Sequence, residues 1–255
     1  MKKYFMMHLK KGLEYKVSFI LVLISQAISL GCAIFVVFSL FSKFGILKDF
    51  TLNECLLSLS IVDMGYYFAE FIFRGFDSFA KQIIKGRFDL LLIRPENIYI
   101  QILGSEMEPT KISRLVVSVG MLVYSITANN LSLNLSNVLV LSIVVIGSLI
   151  TFASLMIIGA GITFYTIEGL ELVNIFTCGS REMGEYPMGI YHKNIRKVFT
   201  YGIPVACVNY FPVLFLLGRD SNIIYALSPL YTIVIFVFSI IFFNISLKHY
   251  QSSGS

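Results

Sequence analysis

The sequence is poor in charged residues. Asp, Glu, Lys and Arg make up 14% of its 255 residues, whereas soluble domains usually carry about 25%. Apolar residues make up 56% of the chain, and its mean hydropathy is +0.80. A soluble fold of this length could not bury so much apolar surface, so we expect a membrane protein that has the bilayer as its solvent.

Motifs for catalysis and cofactor binding are also missing. There is no phosphate-binding loop of the form G-x-x-x-x-G-K-[ST], and no Ser/His/Asp set stands at a recognisable spacing. The three histidines are far apart and the four cysteines show no C-x-x-C spacing, so no metal site is predicted. We therefore expect a chain that is not an enzyme and binds no cofactor. Any energy that it uses must come from an ion gradient or from a partner.

Long apolar runs predict six membrane-spanning helices in a single transmembrane domain over residues 1–255. A span needs about 20 mostly apolar residues, and six stretches of the sequence approach this requirement. They cover residues 17–41, 52–73, 112–127, 138–165, 198–217 and 227–247. The predicted fold class is therefore an all-α integral membrane protein that contacts membrane lipids.

The basic residues, which give a net charge of +5, lie in short segments between the apolar runs. This spacing is typical of membrane proteins and argues against a nucleic-acid partner. With six spans, the basic segments 1–16, 74–111 and 181–197 and the C-terminal tail share one side. The positive-inside rule places that side in the cytoplasm. We predict a multi-pass protein of the cell membrane with both termini cytoplasmic, and an interfacial amphipathic helix over 1–16.

The cytoplasmic segment 74–111 combines apolar side chains with charges at helical spacing. Phe79 and Ile83 belong to this pattern, which Gly86 interrupts. The stretch GRFDLLLIRP then ends at Pro95, which disfavours a helical conformation at Arg94. The sequence predicts two short helices joined by a turn, and such a protrusion can dock into the groove of a partner. A solvated loop is the alternative interpretation.

Two motifs resemble those of a known family. The stretch GRFDLLLIRP, following two spans, resembles the cytoplasmic segment of a small six-span permease subgroup in the ABC-2 family of exporters. The stretch EYPMGIYHKNIRKVFTYGIPVACVNYFPVLFLLGR, over residues 185–219, resembles a second motif of the same subgroup. The resemblance implies a permease that dimerises with an identical or related copy. It also implies a separate ABC ATPase subunit, which binds ATP and Mg.

The resemblance also implies roles for particular residues. It places ATPase coupling on a coupling helix within residues 79–95. The coupling residues would be Phe79, Ile83, Gly86, Arg87, Phe88, Asp89, Arg94 and Pro95. It further implies short re-entrant helices between spans five and six on the outer face, over about 210–228. The outer-gate residues would be Pro204, Asn209, Tyr210 and Pro212.

Span two carries acidic residues at membrane depth. Asp63 lies near its middle, where a charge costs roughly 2.5–3.5 kcal/mol on insertion scales. Such residues usually face a bundle interior or a water-filled cavity, so Asp63, Tyr66 and Tyr67 are predicted to line the transport pathway. A structural hydrogen bond between spans is the alternative for Asp63. Glu70 stands four residues before Arg74, an order that favours an ion pair.

The function predicted from the sequence is that of the transmembrane permease subunit of an ATP-driven exporter. One alternative is an ion-coupled secondary transporter that uses Asp63, although the inverted repeats typical of that class are not visible. Another is a lipid-modifying membrane enzyme with polar groups in segment 181–197. The sequence alone discloses neither the substrate nor whether the dimer has two identical chains.

Overall fold

A computed structural model describes residues 4, 6–8, 10, 14, 16–47, 50–166 and 169–250, the last range with its side chains from residue 174 onward. Within these ranges the chain is helical apart from its turns and one isolated β-bridge between Leu47 and Phe50. The described residues before Lys16 are helical. The rest of the predicted interfacial helix lies outside the described residues.

Thirteen α-helices follow in the described ranges. They are α1 (Lys16–Phe44), α2 (Leu52–Asp77), α3 (Phe79–Ile84), α4 (Phe88–Leu92), α5 (Ile98–Ser105), α6 (Ile112–Ala128), α7 (Leu135–Ile162), α8 (Gly169–Gly184), α9 (Lys193–Lys197), α10 (Val205–Asn209), α11 (Phe211–Leu216), α12 (Ile223–Leu227) and α13 (Tyr231–Leu247). Short 3₁₀ turns occupy Pro109–Lys111, Met188–Ile190 and Ser228–Leu230, and a π-helical turn occupies Val198–Gly202.

The helix ends follow from local sequence. Helix α1 stops at Phe44 because Gly45 adopts the left-handed conformation (φ +74°), which favours glycine after a helix. Helix α2 starts after Thr51, whose backbone N–H donates to the Glu54 carboxylate at 2.7 Å. Asn130 (φ +50°) makes the tight turn between α6 and α7.

Helix α2 is the centre of the bundle and packs against α6, α7 and α8. Helix α13 packs along α7, while most of α1 is exposed. The bundle has two ends. We call the end that carries residues 74–111 and the C-terminus of α13 the proximal end. The opposite end, where α1 finishes and α2 begins, is the distal end.

Five helical stretches are long and apolar enough to cross a membrane. They are Lys16–Phe44, Leu52–Ile84, Pro109–Ala128, Leu135–Ile162 and Ile223–Leu247. These stretches match spans one to four and six of the prediction. A bent pair, Lys193–Gly202 with Val205–Leu216, brings the number to six if it is counted as one span.

The predicted fifth span over 198–217 is not a straight helix. Its two halves meet at an angle of 87° at the break before Pro204. Helix α8 instead runs along α2 in the opposite direction. Cys178 contacts Tyr66 at 3.6 Å, Arg181 contacts Asp63 at 2.8 Å, and the carbonyl of Glu185 lies 3.6 Å from the thiol of Cys55. Helix α8 therefore carries the chain from the proximal end toward the distal end.

This course of α8 corrects the predicted position of the basic residues in segment 181–197. Lys193, Arg196 and Lys197 line a cavity together with Asp220 and Tyr225. That cavity is at the distal end, because the neighbouring Arg219 pairs with Glu54 at the start of α2. The prediction that these three residues share a side with segment 74–111 was therefore wrong. The sequence of α8 is typical of a loop because the helix is short and polar, yet Thr177 and Ser180 are buried and Arg181 reaches Asp63 in α2.

Candidate coupling surface and transport pathway

The predicted coupling segment is anchored to the bundle by aromatic rings. Phe79 and Phe88 are fully buried, and their ring centroids lie 5.1 Å apart in an edge-to-face arrangement. Phe164 and Phe243 complete the cluster at 5.3 and 5.8 Å from Phe79. Edge-to-face pairs contribute about 0.5–1.5 kcal/mol each beyond their buried area. These rings hold α3 and α4 firmly against the proximal ends of α7 and α13.

The C-terminal end of the chain closes this aromatic cluster. The Tyr250 ring stacks edge-on against Phe88 at 4.8 Å, and its hydroxyl donates to the Asp89 carboxylate at 2.8 Å. On the opposite side, Gln82 donates to the Ser105 hydroxyl at 2.6 Å. Helices α3 and α4 are thus tied both to the chain after α13 and to α5.

The outward face of α3 and α4 carries the remaining predicted coupling residues. Arg87, Arg94 and Pro95 are exposed, while Ile83, Gly86 and Asp89 are half-buried. Gly86 makes the turn between the two helices with a φ of +61°, a conformation that L side chains rarely adopt. Every predicted coupling residue therefore lies in one small region. The two phenylalanines are anchors inside it and do not reach its surface.

Four further apolar side chains lie within the predicted range 79–95 but are not among the coupling residues named from the sequence. They are Ile84, Leu90, Leu92 and Ile93, with exposed fractions of 61%, 55%, 47% and 78%. Two further cations, Lys81 and Lys85, stand beside them. We call the set of Lys81, Ile84, Lys85, Arg87, Leu90, Leu92, Ile93 and Arg94 the coupling surface. Its combination of exposed apolar and basic side chains is typical of a protein-binding patch.

A charged network joins this region to the spans. Lys111 donates to the Glu70 carboxylate at 2.7 Å, and Arg74 contacts the same oxygen at 3.3 Å, which confirms the predicted pair of Glu70 and Arg74. Arg74 also pairs with Asp77 and with Glu108. The network links the proximal end of α2 to the turn that leads into α6.

The pathway residue Asp63 forms an ion pair inside the bundle. Its side chain is fully buried, and its Oδ1 accepts a hydrogen bond from Arg181 Nε at 2.8 Å. Arg181 also pairs through Nη2 with Glu185 at 2.7 Å. The second carboxylate oxygen of Asp63 is buried and has no hydrogen-bond partner among the described residues.

The predicted pathway tyrosines surround this ion pair. The Arg181 guanidinium lies 5.4 Å from the Tyr66 ring centroid and 5.3 Å from that of Tyr67, both within cation–π range. Arg114 from α6 donates to the Tyr67 hydroxyl at 3.2 Å. Asp63, Tyr66 and Tyr67 therefore form one cluster that is held together by arginines from two other helices.

A cavity of about 300 Å³ opens beside this cluster, between α1 and α8. Tyr67, Arg181, Glu182 and Glu185 supply its polar wall, and α1 supplies small and apolar side chains such as Ala33. Glu182 is exposed. The arrangement provides a polar recess at membrane depth beside an otherwise apolar surface.

The predicted outer-gate residues lie together near the distal end. Pro204 precedes α10 and Pro212 lies in the first turn of α11, both buried. Asn209 is buried between α8 and α2, where its amide donates to the Gly184 carbonyl at 2.7 Å. The Tyr210 ring lies 6.0 Å from that of Phe50. This short-helix region therefore packs directly on the distal end of α8.

Tyr191 fixes the loop that leads from α8 into this region. Its hydroxyl donates to the Met183 carbonyl at 3.1 Å. Burial raises the pKa of Tyr191 to about 12, which favours the neutral phenol that donates this hydrogen bond.

A comparison with protein families gives a match over most of the chain. The family model described as "ABC-2 family transporter protein" matches residues 27–254. The chain belongs to the ABC-2 transporter family. No curated protein and no solved structure matches it.

Membership of the ABC-2 family makes this chain a multi-pass membrane component of an ABC transporter. Membrane components of this family serve transport and are not themselves the catalytic part. An ABC ATPase is the general partner of such components. Among the described residues of this ABC-2 protein, no group of three or more His, Cys, Asp or Glu is placed to hold a metal ion.

The residue that the sequence analysis missed in this ABC-2 permease is Arg181. The helix that carries it, α8, is amphipathic and only 16 residues long, so it does not read as a span. A usable signal was nevertheless present, because a buried carboxylate such as Asp63 needs a cationic partner from another helix. Arg114 and Arg181 are the two arginines that the structure brings to it or to its neighbour Tyr67.

Proposed function

We propose that this chain is the permease subunit of an ATP-driven exporter, coupled to a separate cytoplasmic ATPase through the coupling surface. The carrying observation is the exposed apolar and basic face of α3 and α4 above its buried aromatic anchors. A rigid patch of this kind passes the motion of a docked partner into the spans. ATP and Mg belong to the ATPase.

The proposed orientation places the proximal end in the cytoplasm. The basic residues of segments 1–16 and 74–111 support it through the positive-inside rule, even with Lys193, Arg196 and Lys197 at the distal end. Both termini are then cytoplasmic. Helix α8 becomes the fifth crossing, and α9 to α12 become short helices on the outer side, where Pro204, Asn209, Tyr210 and Pro212 form the outer gate.

The proposed pathway lies between two permease copies, identical or related. Polar side chains on α8 support this, since Asn174 and Glu182 are exposed on a helix that packs along a membrane span. A charged or amide side chain at membrane depth usually faces protein or water. A second copy would cover these residues and would enclose the cavity beside Asp63, Tyr66 and Tyr67.

The test is ATPase capture by the purified permease. Leu90→Glu with Ile93→Glu places two carboxylates on the coupling surface, so we expect ATPase association and ATP-driven transport to fall at least tenfold, because hot-spot residues of an interface contribute about 2 kcal/mol or more. Leu133→Glu, at an equally exposed site of the distal end, is the matched control. Unchanged capture by the double variant would contradict the proposal.

A second candidate function is an ion-coupled secondary transporter that uses Asp63. The observation in its favour is the buried carboxylate oxygen of Asp63 that has no hydrogen-bond partner within the part of the chain that the structure describes. This function predicts gradient-driven transport by the purified chain without an ATPase. Uptake measured in vesicles with an imposed proton or sodium gradient, and without nucleotide, separates the two functions.

A further inference from the structure

We propose that the distal end carries a binding pocket for a phosphate-bearing amphiphile, a molecule with an anionic head and an apolar tail. The pocket has a volume of about 300 Å³. Its lining includes the cations Lys193, Arg196 and Lys197 of α9, and the aromatic side chains Tyr210, Phe211 and Tyr225. No part of the proposed coupling mechanism uses these three cations.

The three cations share one side of α9, and their positive charge exceeds the negative charge of the pocket lining. Residues three and four apart share a side of a helix, so Lys193, Arg196 and Lys197 all point to the pocket that they line. Among the described residues none of the three forms an ion pair. Asp220 is the one carboxylate of the lining, and it accepts a hydrogen bond from the backbone of Asn222 at 2.9 Å. The pocket therefore carries an excess of two positive charges, three minus one.

The position of Lys193, Arg196 and Lys197 at the distal end is unusual for a membrane protein. Short loops on the outer side of a membrane protein are normally poor in Lys and Arg, because basic residues favour retention in the cytoplasm. In the orientation proposed above the distal end is the outer side, and three basic residues within five positions there oppose that preference. A site for an anion explains why they are kept at this end of the bundle.

The apolar surroundings identify the rest of the ligand. The rings of Phe211 and Tyr225 pack in a tilted arrangement with their centroids 5.0 Å apart, so part of the lining is aromatic. Beside the pocket, Val198, Tyr201 and Ile224 are exposed by 56%, 69% and 67%. A small free anion would not contact these apolar side chains, whereas an acyl chain or another apolar tail would pack against them. Cations beside tyrosines also match the composition of a membrane–water interface.

The experiment uses the absence of tryptophan from the chain. Tyr225→Trp introduces the only tryptophan of the chain, inside the pocket, and its fluorescence is excited selectively at a wavelength that tyrosine does not absorb. The full chain is placed in phosphatidylcholine nanodiscs that contain increasing fractions of phosphatidylglycerol with brominated acyl chains, which quench on contact. We expect half-quenching at a roughly tenfold lower fraction than with brominated phosphatidylcholine, since each cation near an anionic lipid adds attraction.

Neutralising variants test the role of the cations. Lys193→Gln, Arg196→Gln and Lys197→Gln together should abolish the preference for phosphatidylglycerol. The same number of changes at the other end, Lys81→Gln, Lys85→Gln and Arg87→Gln, should leave it intact. Arg196→Lys alone keeps the charge and should retain it, which separates loss of the site from loss of the fold. Equal quenching by the two brominated lipids in the Tyr225→Trp chain would overturn the proposal.

Soluble phosphate provides the remaining arm. Glycerol phosphate at millimolar concentration should leave the quenching unchanged, because it lacks the apolar tail. Competition by glycerol phosphate at that concentration would contradict the proposal of an amphiphilic ligand and would indicate a site for a soluble anion. The measurement needs neither ATPase nor transport, so its failure leaves the proposed permease function untouched, and the reverse also holds.

Discussion

The buried ion pair of Asp63 with Arg181 is the place where we expect a single substitution to destabilise this protein most. The carboxylate is fully buried and the guanidinium is held by Glu185 and two tyrosine rings. Removing one member of a buried pair leaves an uncompensated charge, whereas replacing both by neutral side chains is often tolerated. This asymmetry makes the pair testable.

Arg181→Met should destabilise the purified chain by about 3–5 kcal/mol, because it strands the buried charge of Asp63. The double variant Asp63→Asn with Arg181→Met should recover most of the lost stability. Thermal unfolding in detergent measures both. A double variant as unstable as Arg181→Met would show that the guanidinium acts mainly by packing against the tyrosines.

Helices α2 and α5 approach each other closely at Gly75. A Cβ at this position would overlap the backbone carbonyl of Ile102. Gly75→Ala should therefore destabilise the chain by about 1–3 kcal/mol, as overpacking does.

Gly120→Ala in α6 is the matched control for this overlap. A Cβ there meets no atom within 4 Å, so the substitution should be neutral or stabilising by up to about 1 kcal/mol. Thermal unfolding compares the two variants. Equal effects would mean that α5 does not approach α2 closely at Gly75.

At the scale of residues, the sequence identified the acid at Asp63 but not its partner. An intramembrane carboxylate stands out from composition alone. Its partner Arg181 is 118 positions away. The helix that carries Arg181 is polar, so its sequence is typical of a loop. Only the fold brings these two positions together.

At the scale of elements, α3 and α4 combine an inner anchoring face with an outer coupling surface. Phe88 and Leu90 are two residues apart in α4, yet Phe88 is fully buried and Leu90 is 55% exposed. We therefore expect substitution of Phe88 to lower the stability of the fold, and substitution of Leu90 to leave the stability unchanged.

Phe88→Ala should lower the free energy of unfolding by about 3–5 kcal/mol, because it leaves a cavity inside the aromatic cluster. Leu90→Ala should leave it within about 0.5 kcal/mol, as surface substitutions usually do. Thermal unfolding and ATPase capture are measured on the same samples. If Leu90→Ala unfolded the chain as readily as Phe88→Ala, the assignment of inner and outer faces would be wrong.

Hydropathy predicted the long elements well. Spans one to four and six are continuous apolar helices, so their existence follows from sequence. The short elements between α8 and α13 do not follow in the same way. Pro204 and Pro212 signalled breaks correctly, but the direction of each piece depends on how Asn209 and Tyr210 pack on α8 and on Phe50.

At the scale of the whole molecule, the course of α8 decides the topology. If α8 crosses the membrane, position 193 and position 132 face the same side, and Glu96 faces the other. If 198–217 were the crossing, position 193 would share the side of Glu96 instead.

Labelling of single introduced cysteines distinguishes these arrangements. Lys193→Cys and Ser132→Cys should react with a membrane-impermeant maleimide added outside intact cells, and Glu96→Cys should react only after permeabilisation. The native Cys32 and Cys178, which are exposed, are first replaced by Ser. Protection of Lys193→Cys in intact cells would refute α8 as the fifth crossing.

Helix α13 joins the two ends of the molecule in an unbroken piece of 17 residues. Just beyond its last turn, Tyr250 bonds to Asp89 beside the coupling surface. At its first turn, the Tyr231 hydroxyl donates to the Tyr201 carbonyl at 3.0 Å, next to the distal pocket. A continuous helix of this length spans about 25 Å. Under the proposed function, we expect an axial movement of α13 to pass a displacement of α4 by the docked ATPase on to Tyr201 at the distal end.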